Sequence, residues 1–239
     1  GIGRQLLERV AEEARLAGAK TLDVRAREDE PGTAAFCQAT GFRLARVWYR
    51  MWLEPVRVAP YVFPPGYGRR TFRPRHDEAA YASVLNEAFS EHWGMGPTTP
   101  ERVAEMVSEP GFEPADVLLA TWQREVVGLC RTRFLERQVH GRSLAVAHIG
   151  PVAVLTGHRG RGLGHALVAA CLHQCRRKHI QAAELDVDEG NGPAIHVYED
   201  CGFEALFRIL WYRRHLDEED CAWPAASSAG SELLSPAIR

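Results

Sequence analysis

The sequence predicts an α/β protein: one complete domain, preceded by the C-terminal half of a second. Three observations carry that expectation. Amphipathic helical stretches alternate with short apolar strands along most of the 239 residues. A stretch rich in Pro and Gly, residues 55 to 68, divides the chain. Shifting the sequence against itself by 161 residues, without a gap, lays Gly1-Ile2-Gly3 on Gly162-Leu163-Gly164 and Gly41-Phe42 on Gly202-Phe203. That self-similarity marks a diverged tandem duplication whose first copy lacks its front half.

The elements follow in order. Leu6, Leu7, Val10, Ala11 and Ala14 give residues 4 to 17 a helical apolar stripe that ends near Gly18. "KTLDVRA" reads as a strand, "TAAFCQATGF" as a short helix stopped by Gly41, and "RLARVWYRMWL" as a strand. Residues 1 to 54 thus form the partial domain and 55 to 68 a linker. The complete domain spans 69 to 216. It opens on a strand in "RRTFRP", then Asp77 as N-cap of a helix carrying Ala80, Val84, Leu85, Ala88 and Phe89. Thr99 caps a second helix, with Pro100 in its first turn. "DVLLATWQ", "EVVGLCRTRF" and "LAVAHIGPVAVL" are strands; a glycine-rich stretch then leads into a helix reaching about Lys178. "AAELDVD", "GPAIHVYEDCGF" and "EALFRILWYRRHL" complete a strand, helix and strand. The tail from Asp217 is small and polar, the composition of a disordered segment.

Composition excludes several classes. A net charge of -2 gives no ground for nucleic acid as a partner. No apolar run approaches the roughly 20 residues that span a bilayer. Six cysteines without a CxxC pair read as reduced thiols of a cytoplasmic protein, with no metal expected. Cys171 and Cys175 share a helical stripe with Leu167, Val168 and Leu172, which favours core packing over ligation. The chain opens on Gly rather than Met and shows no signal-peptide pattern, so its beginning reads as something other than a native start.

The stretch "TGHRGRGLGHALVAACLHQC" places Gly157, Gly160, Gly162 and Gly164 immediately before a helix. A Walker A loop needs Lys where Leu163 stands, and a dinucleotide fingerprint needs Gly where His165 stands. What remains is Arg159-x-x-Gly162-x-Gly164 between strand and helix. Glycines there let consecutive N–H groups turn inward, and the helix N-terminus adds about half a positive charge. Such a loop suits a diphosphate met end-on, with Arg159 and Arg161 adding charge at the rim. A plain Gly-rich turn is the competing reading.

Downstream, "NGPAIHVYEDCGF" supplies Asn191, Ala194, Tyr198, Gly202 and Phe203. R-x-x-G-x-G followed by this pattern resembles the GNAT superfamily of acyl-CoA-dependent N-acyltransferases, over residues 69 to 216 fully and 1 to 53 in part. The tandem arrangement and "NEAFSEHWG" are similar to the double-GNAT group that includes mycothiol synthase. The resemblance implies a mixed α+β sheet of six or seven strands whose fourth and fifth strands splay to admit acetyl-CoA. The backbone from Val152 to Val154 would pair with the pantetheine arm. Arg159, Gly160, Arg161, Gly162, Leu163 and Gly164 would hold the diphosphate, Asn191 would reach the cofactor, and Tyr198 would point at its sulfur.

The implied activity is acetyl-CoA-dependent N-acetylation of a small-molecule amine by direct attack within a ternary complex. A non-catalytic acyl-CoA-binding or regulatory module is the alternative. Tyr198 matches the family's general acid; packing of a helix Tyr on the sheet is the other reading. His148 is the base candidate on the fourth strand, against a buried or rim His, with Gly150 where an acid might be sought. His92 and Trp93 end the first helix of the domain, where this fold frames its acceptor; they can equally be helix-end packing. Asp186, Asp188 and Glu189 could hold a cationic acceptor, but are read as solvent-facing. In the first copy Glu30 stands for Asn191 and Cys37 for Tyr198. That copy is expected to be an inactive remnant whose partial sheet lacks partner strands and leaves an edge exposed. Neither the acceptor nor the oligomeric state is specified by the sequence.

Overall fold

The computed structural model describes residues 1 to 216 apart from Ala59, Met95 and His140. The tail from Asp217, expected to be disordered, lies outside the described residues. The elements are α1 (Ile2–Leu16), β1 (Thr21–Arg27), α2 (Pro31–Ala39), β2 (Arg43–Leu53), β3 (Tyr67–Thr71), α3 (Glu78–Ala88), α4 (Pro100–Val107), β4 (Val117–Trp122), β5 (Glu125–Val139), β6 (Arg142–Val154), α5 (Leu163–Arg177), β7 (Ala182–Asp188), α6 (Gly192–Asp200) and β8 (Glu204–His215). The 161-residue shift carries α1 onto α5, β1 onto β7 and α2 onto α6 from first residue to last, and β2 onto all but the final residue of β8.

All eight strands form one mixed sheet in the order β1-β8-β2-β7-β6-β5-β4-β3. The two copies have exchanged their last strands. β8 lies beside β1, and β2 lies beside β7. The registers are equivalent: Arg27 pairs with Ile209, and Asp188 pairs with Trp48, which are the same two positions in each copy. β2 and β8 also pair with each other, and there Trp48 faces Ile209, its own counterpart in the duplication. A pseudo-twofold axis therefore passes through that pair. The expectation of strands without partners is corrected here. β2 has a neighbour on each side, and only β1 of the first copy lies at the end of the sheet.

Alternation assigns the faces. Ala183, Leu185 and Val187 of β7 join Met51, Leu167, Cys171 and Phe203 in one core under α5 and α6. Leu22, Val24, Ala26, Leu210 and Tyr212 pack with Cys37 and Phe42 on the same face, under α1 and α2. On the opposite face, α3 and α4 cover the other end of the sheet through Tyr81, Val84, Val103, Leu119 and Leu129. Cys171 and Cys175 are buried, as a core stripe requires.

Three local expectations change. β3 begins at Tyr67, inside the expected linker. β5 and β6 continue as a long hairpin past the residues read as strand, because the polar run around "LERQV" pairs as a ribbon. Asp77 does stand at the N-cap of α3, but makes no side-chain cap. Its carboxylate instead takes Nη1 and Nη2 of Arg70 and the Arg73 amide at 2.7 Å, a charge-assisted set that outcompetes a single helix amide. No described helix is long and apolar enough to cross a membrane.

Candidate functional site

The site begins where the parallel pair fails. β6 and β7 pair only over Val146–His148 against Ala182–Glu184. Beyond that point β7 stays with β2, while β6 follows β5 through Val152, opposite Cys130, to Val154, opposite Gly128. The register of β6 slips by one residue around Gly150 and Pro151, the signature of a bulge that bends a strand away from its neighbour. One side of Val152 to Val154 is thus left without a strand partner, facing a wedge.

The glycine loop closes the end of that wedge. Gly160 and Gly162 have φ of 71° and 79°, and Gly162 is the N-cap of the 15-residue α5. A left-handed N-cap without a side chain turns the amides that follow it outward rather than capping them. No protein acceptor among the described residues takes the amides from Gly160 to His165. A Cβ added at Gly157, Gly160, Gly162 or Gly164 would meet nothing within 4 Å, so the space above the loop is open. Leu163 offers only its backbone there, since its side chain is in the core. This combination of free amides, helix N-terminus and open space fits a diphosphate.

Arg159, expected as a rim charge, is exposed and also bridges two elements. Its guanidinium donates to the Val154 carbonyl at 3.1 Å and the Ala88 carbonyl at 2.9 Å, tying the loop to the end of β6 and to α3. Two carbonyls left over at element ends outbid solvent for its fork. Arg161 remains at the exposed rim, 3.3 Å from the Tyr67 hydroxyl, which also lies 2.9 Å from His158 Nδ1. Asn191 is the N-cap of α6, and its Oδ1 accepts from the Ala194 amide at 3.3 Å.

Two proton-active side chains lie on opposite faces of the sheet beside the wedge. Tyr198 of α6 is buried among Leu163, Leu167, Leu185 and Phe203. Burial, with the nearby Cys130 and Cys201 thiols, pushes its phenol well above the usual range, so it stays protonated. His148 of β6 points to the other face. Its Nδ1 lies 3.2 Å from Glu184 Oε1, and Nε2 looks toward Gly150, where even an added Cβ would stay 4.0 Å away.

Glu184 is the centre of a buried network. It accepts from Arg50 Nη1 and from Arg137 Nη2, each at 2.7 Å. Burial alone would raise its pKa, but the hydrogen bonds from His148 and Arg137 and the Arg50 charge outweigh that and hold it down at about 2. Arg50 also grips Asp186 through Nε and Nη2. Of the acidic group read as solvent-facing, Glu189 is exposed and takes the Tyr49 hydroxyl and Arg208, and Asp188 is half-buried and accepts the Gly190 amide; the reading is corrected for Asp186, which is tied to Arg50. His92 packs edge-on against Phe89 at 4.9 Å. Trp93 meets Trp211 of β8 at 5.8 Å, with the Arg213 guanidinium 4.3 Å over its ring. Among the described residues no group of three or more His, Cys, Asp or Glu is arranged to hold a metal.

A family model described as the acetyltransferase (GNAT) family matches residues 79–203. The chain belongs to this family. It is similar to the mycothiol acetyltransferase of Thermobispora bispora, 33% identical over 90% of this chain and 71% of that one. It is likewise similar to the mycothiol acetyltransferase of Thermomonospora curvata, 34% identical over 85% of this chain and 65% of that one. Among solved structures, a GCN5-related N-acetyltransferase from Sphaerobacter thermophilus matches with a TM-score of 0.70 and 26% identity, over 90% of this chain and 68% of that one. A tandem GNAT protein from the clavulanic acid biosynthesis pathway shares the fold, with a TM-score of 0.68 over 92% of this chain and 71% of that one.

Glu184, Arg50 and Arg137 were not singled out by sequence reasoning. A signal was present: "AAELDVD" alternates three acids with apolar residues and "WYRMWL" holds one Arg among apolar residues, and such charges need partners when buried. Nothing in the sequence showed that the two strands would be neighbours.

Proposed function

We propose that this GNAT protein is an acetyl-CoA-dependent N-acetyltransferase that acts on a small-molecule amine, with direct transfer in a ternary complex. The observation that carries the reading is the wedge between β6 and β7, with unpartnered amides at its end and Tyr198 and His148 on its two faces. Bound acetyl-CoA supplies the acetyl group as a thioester. The amides of Gly160 to His165 hold its diphosphate, and the free backbone side of Val152 to Val154 aligns the arm along the wedge.

His148 Nε2 accepts the proton from the attacking amine, since Nδ1 is engaged by Glu184. Tyr198 donates its phenolic proton to the departing sulfur, a role its raised pKa permits because it enters the cycle protonated. His92 and Trp93 frame the acceptor from the α3 side, where Trp93 rests on the exchanged strand β8. The relatives are named mycothiol acetyltransferases, so an acceptor amine of mycothiol biosynthesis is the first to assay.

The test is release of free thiol from acetyl-CoA in the presence of a panel of small amines. Thiol release that depends on one amine, with acetylated amine recovered in equal amount, supports the reading. Saturable binding of acetyl-CoA with no turnover on any amine would replace it with the binding-module alternative.

A further inference from the structure

We propose that Glu184, held in place by Arg50, is the positioning residue that fixes the tautomer of His148, so that a strand of the first copy sets the proton acceptor of the second. This builds on the reading of His148 above, but its geometry is independent of it. An imidazole can carry its single proton on either nitrogen, and only a neighbouring group decides which. A carboxylate is an acceptor alone when ionised, so Glu184 Oε1 selects the form with hydrogen on Nδ1. The lone pair then sits on Nε2, toward Gly150 and the wedge. With the other tautomer, Nε2 would carry a proton and could not take one from an amine.

The carboxylate is in turn constrained. Its side chain and those of Arg50 and His148 are 3%, 12% and 14% exposed, so water does not compete freely for these bonds. Oε2 is taken by Arg50, and Oε1 is shared by Arg137 and His148. Arg50 cannot swing away, because its Nε and Nη2 are clamped on Asp186. Among these groups only Arg50 comes from residues 1 to 53. It reaches the site because β2, not β8, is the neighbour of β7: Arg50 pairs directly with Asp186 in the ladder. A sheet without strand exchange would put a β8 residue there instead. The duplicated position of Arg50 in β8 is Trp211, which has no charge to offer a carboxylate.

The experiment is nitrogen-15 spectroscopy of the histidine rings in the whole chain, with His148→Gln used only to assign the signal, alongside steady-state kinetics. In the wild type the His148 ring is expected as the Nδ1–H tautomer. Glu184→Gln keeps the shape and offers an amide in place of the carboxylate, and should move the ring toward the Nε2–H form. Arg50→Lys keeps the charge but loses the fork, and should move it part of the way. A cooperative thermal transition, even at a lowered midpoint, shows that each variant is folded; the wild-type tautomer is decisive even if one is not. A wild-type ring in the Nε2–H form, or a tautomer that neither variant shifts, overturns the proposal. With the tautomer shifted, kcat is expected to fall about 10²-fold with KM for acetyl-CoA within twofold, in the range of general acid–base groups. A shifted tautomer at wild-type kcat upholds the positioning and removes His148 from the proposed chemistry.

Discussion

The two copies keep the same four elements at the same boundaries, yet only one carries the groups of the candidate site. The contrast runs along the faces of the sheet. On the helix-covered face both copies remain apolar, with Leu22, Val24 and Ala26 in one and Ala183, Leu185 and Val187 in the other. On the open face the counterparts of Glu184 and Asp186 are Asp23 and Arg25. Asp23 pairs with Arg213 where both side chains remain about a quarter exposed, whereas Glu184 is sealed. On the helices, Tyr198 corresponds to Cys37 and the capping Asn191 to Glu30. Burial of the apolar face holds the fold, because each lost contact there costs stability directly. The architecture persists although the polar groups on the other face and the helix residues at 37 and 198 differ between the copies.

The largest expected effect breaks the comparison outright. Without residues 1 to 53, β8 loses both sheet neighbours and β7 loses one. The remaining chain is expected to give no cooperative thermal transition. A sharp melt with retained turnover would show that the first copy is dispensable.

Next in size is Tyr198→Phe, expected to lower kcat by about 10²–10⁴-fold with acetyl-CoA affinity unchanged, since the ring and its packing stay. Cys37→Ala at the matching position should leave kcat as it is. Equal kcat in the two variants would make Tyr198 a packing residue.

Acid pH probes the carboxylates. Glu184 sits at about 2 in the fold against 4.5 for the free group. Its stabilisation is therefore complete above about 4.5 and lost as pH falls toward 2; the shift corresponds to about 3 kcal/mol. Urea unfolding should show wild type well above Glu184→Gln at pH 6, with the gap closing toward pH 2. A gap independent of pH would mean that the network does not depend on ionisation.

A smaller effect is expected of Gly162→Val, whose left-handed backbone costs a side chain about 1–2 kcal/mol and more if β-branched. Calorimetry should show acetyl-CoA affinity reduced at least about tenfold in a folded protein. Glu30→Ala, at the position matching Asn191, is the zero of the scale: titration should show no change in affinity.

Much of this was legible in the sequence. The duplication offset, the order of the elements and the glycine loop all rest on local patterns, periodicity and turn chemistry, which a single chain displays. The exchange of β2 and β8 was not, because either pairing satisfies the same alternation of apolar residues. With it were hidden Arg50 beside Glu184 and the neighbours of β2. What Arg159 and Asp77 bond to was hidden for a related reason. Their partners, the carbonyls of Val154 and Ala88 in one case and the side chain of Arg70 in the other, are defined only once the elements are packed.

The strand exchange also sets a clock. Among the described residues β1 pairs only with β8, and the paired residues lie 182 to 194 positions apart, from Arg27 with Ile209 to Thr21 with His215. A chain made at about 5–20 residues per second exposes β1 for on the order of 10–40 s before its partner has been synthesised. During that interval α1, with Ile2, Leu6 and Val10 more than half exposed even in the finished fold, has no completed sheet to rest on. Of the strands in this sheet, the first to be made is thus the last to be paired.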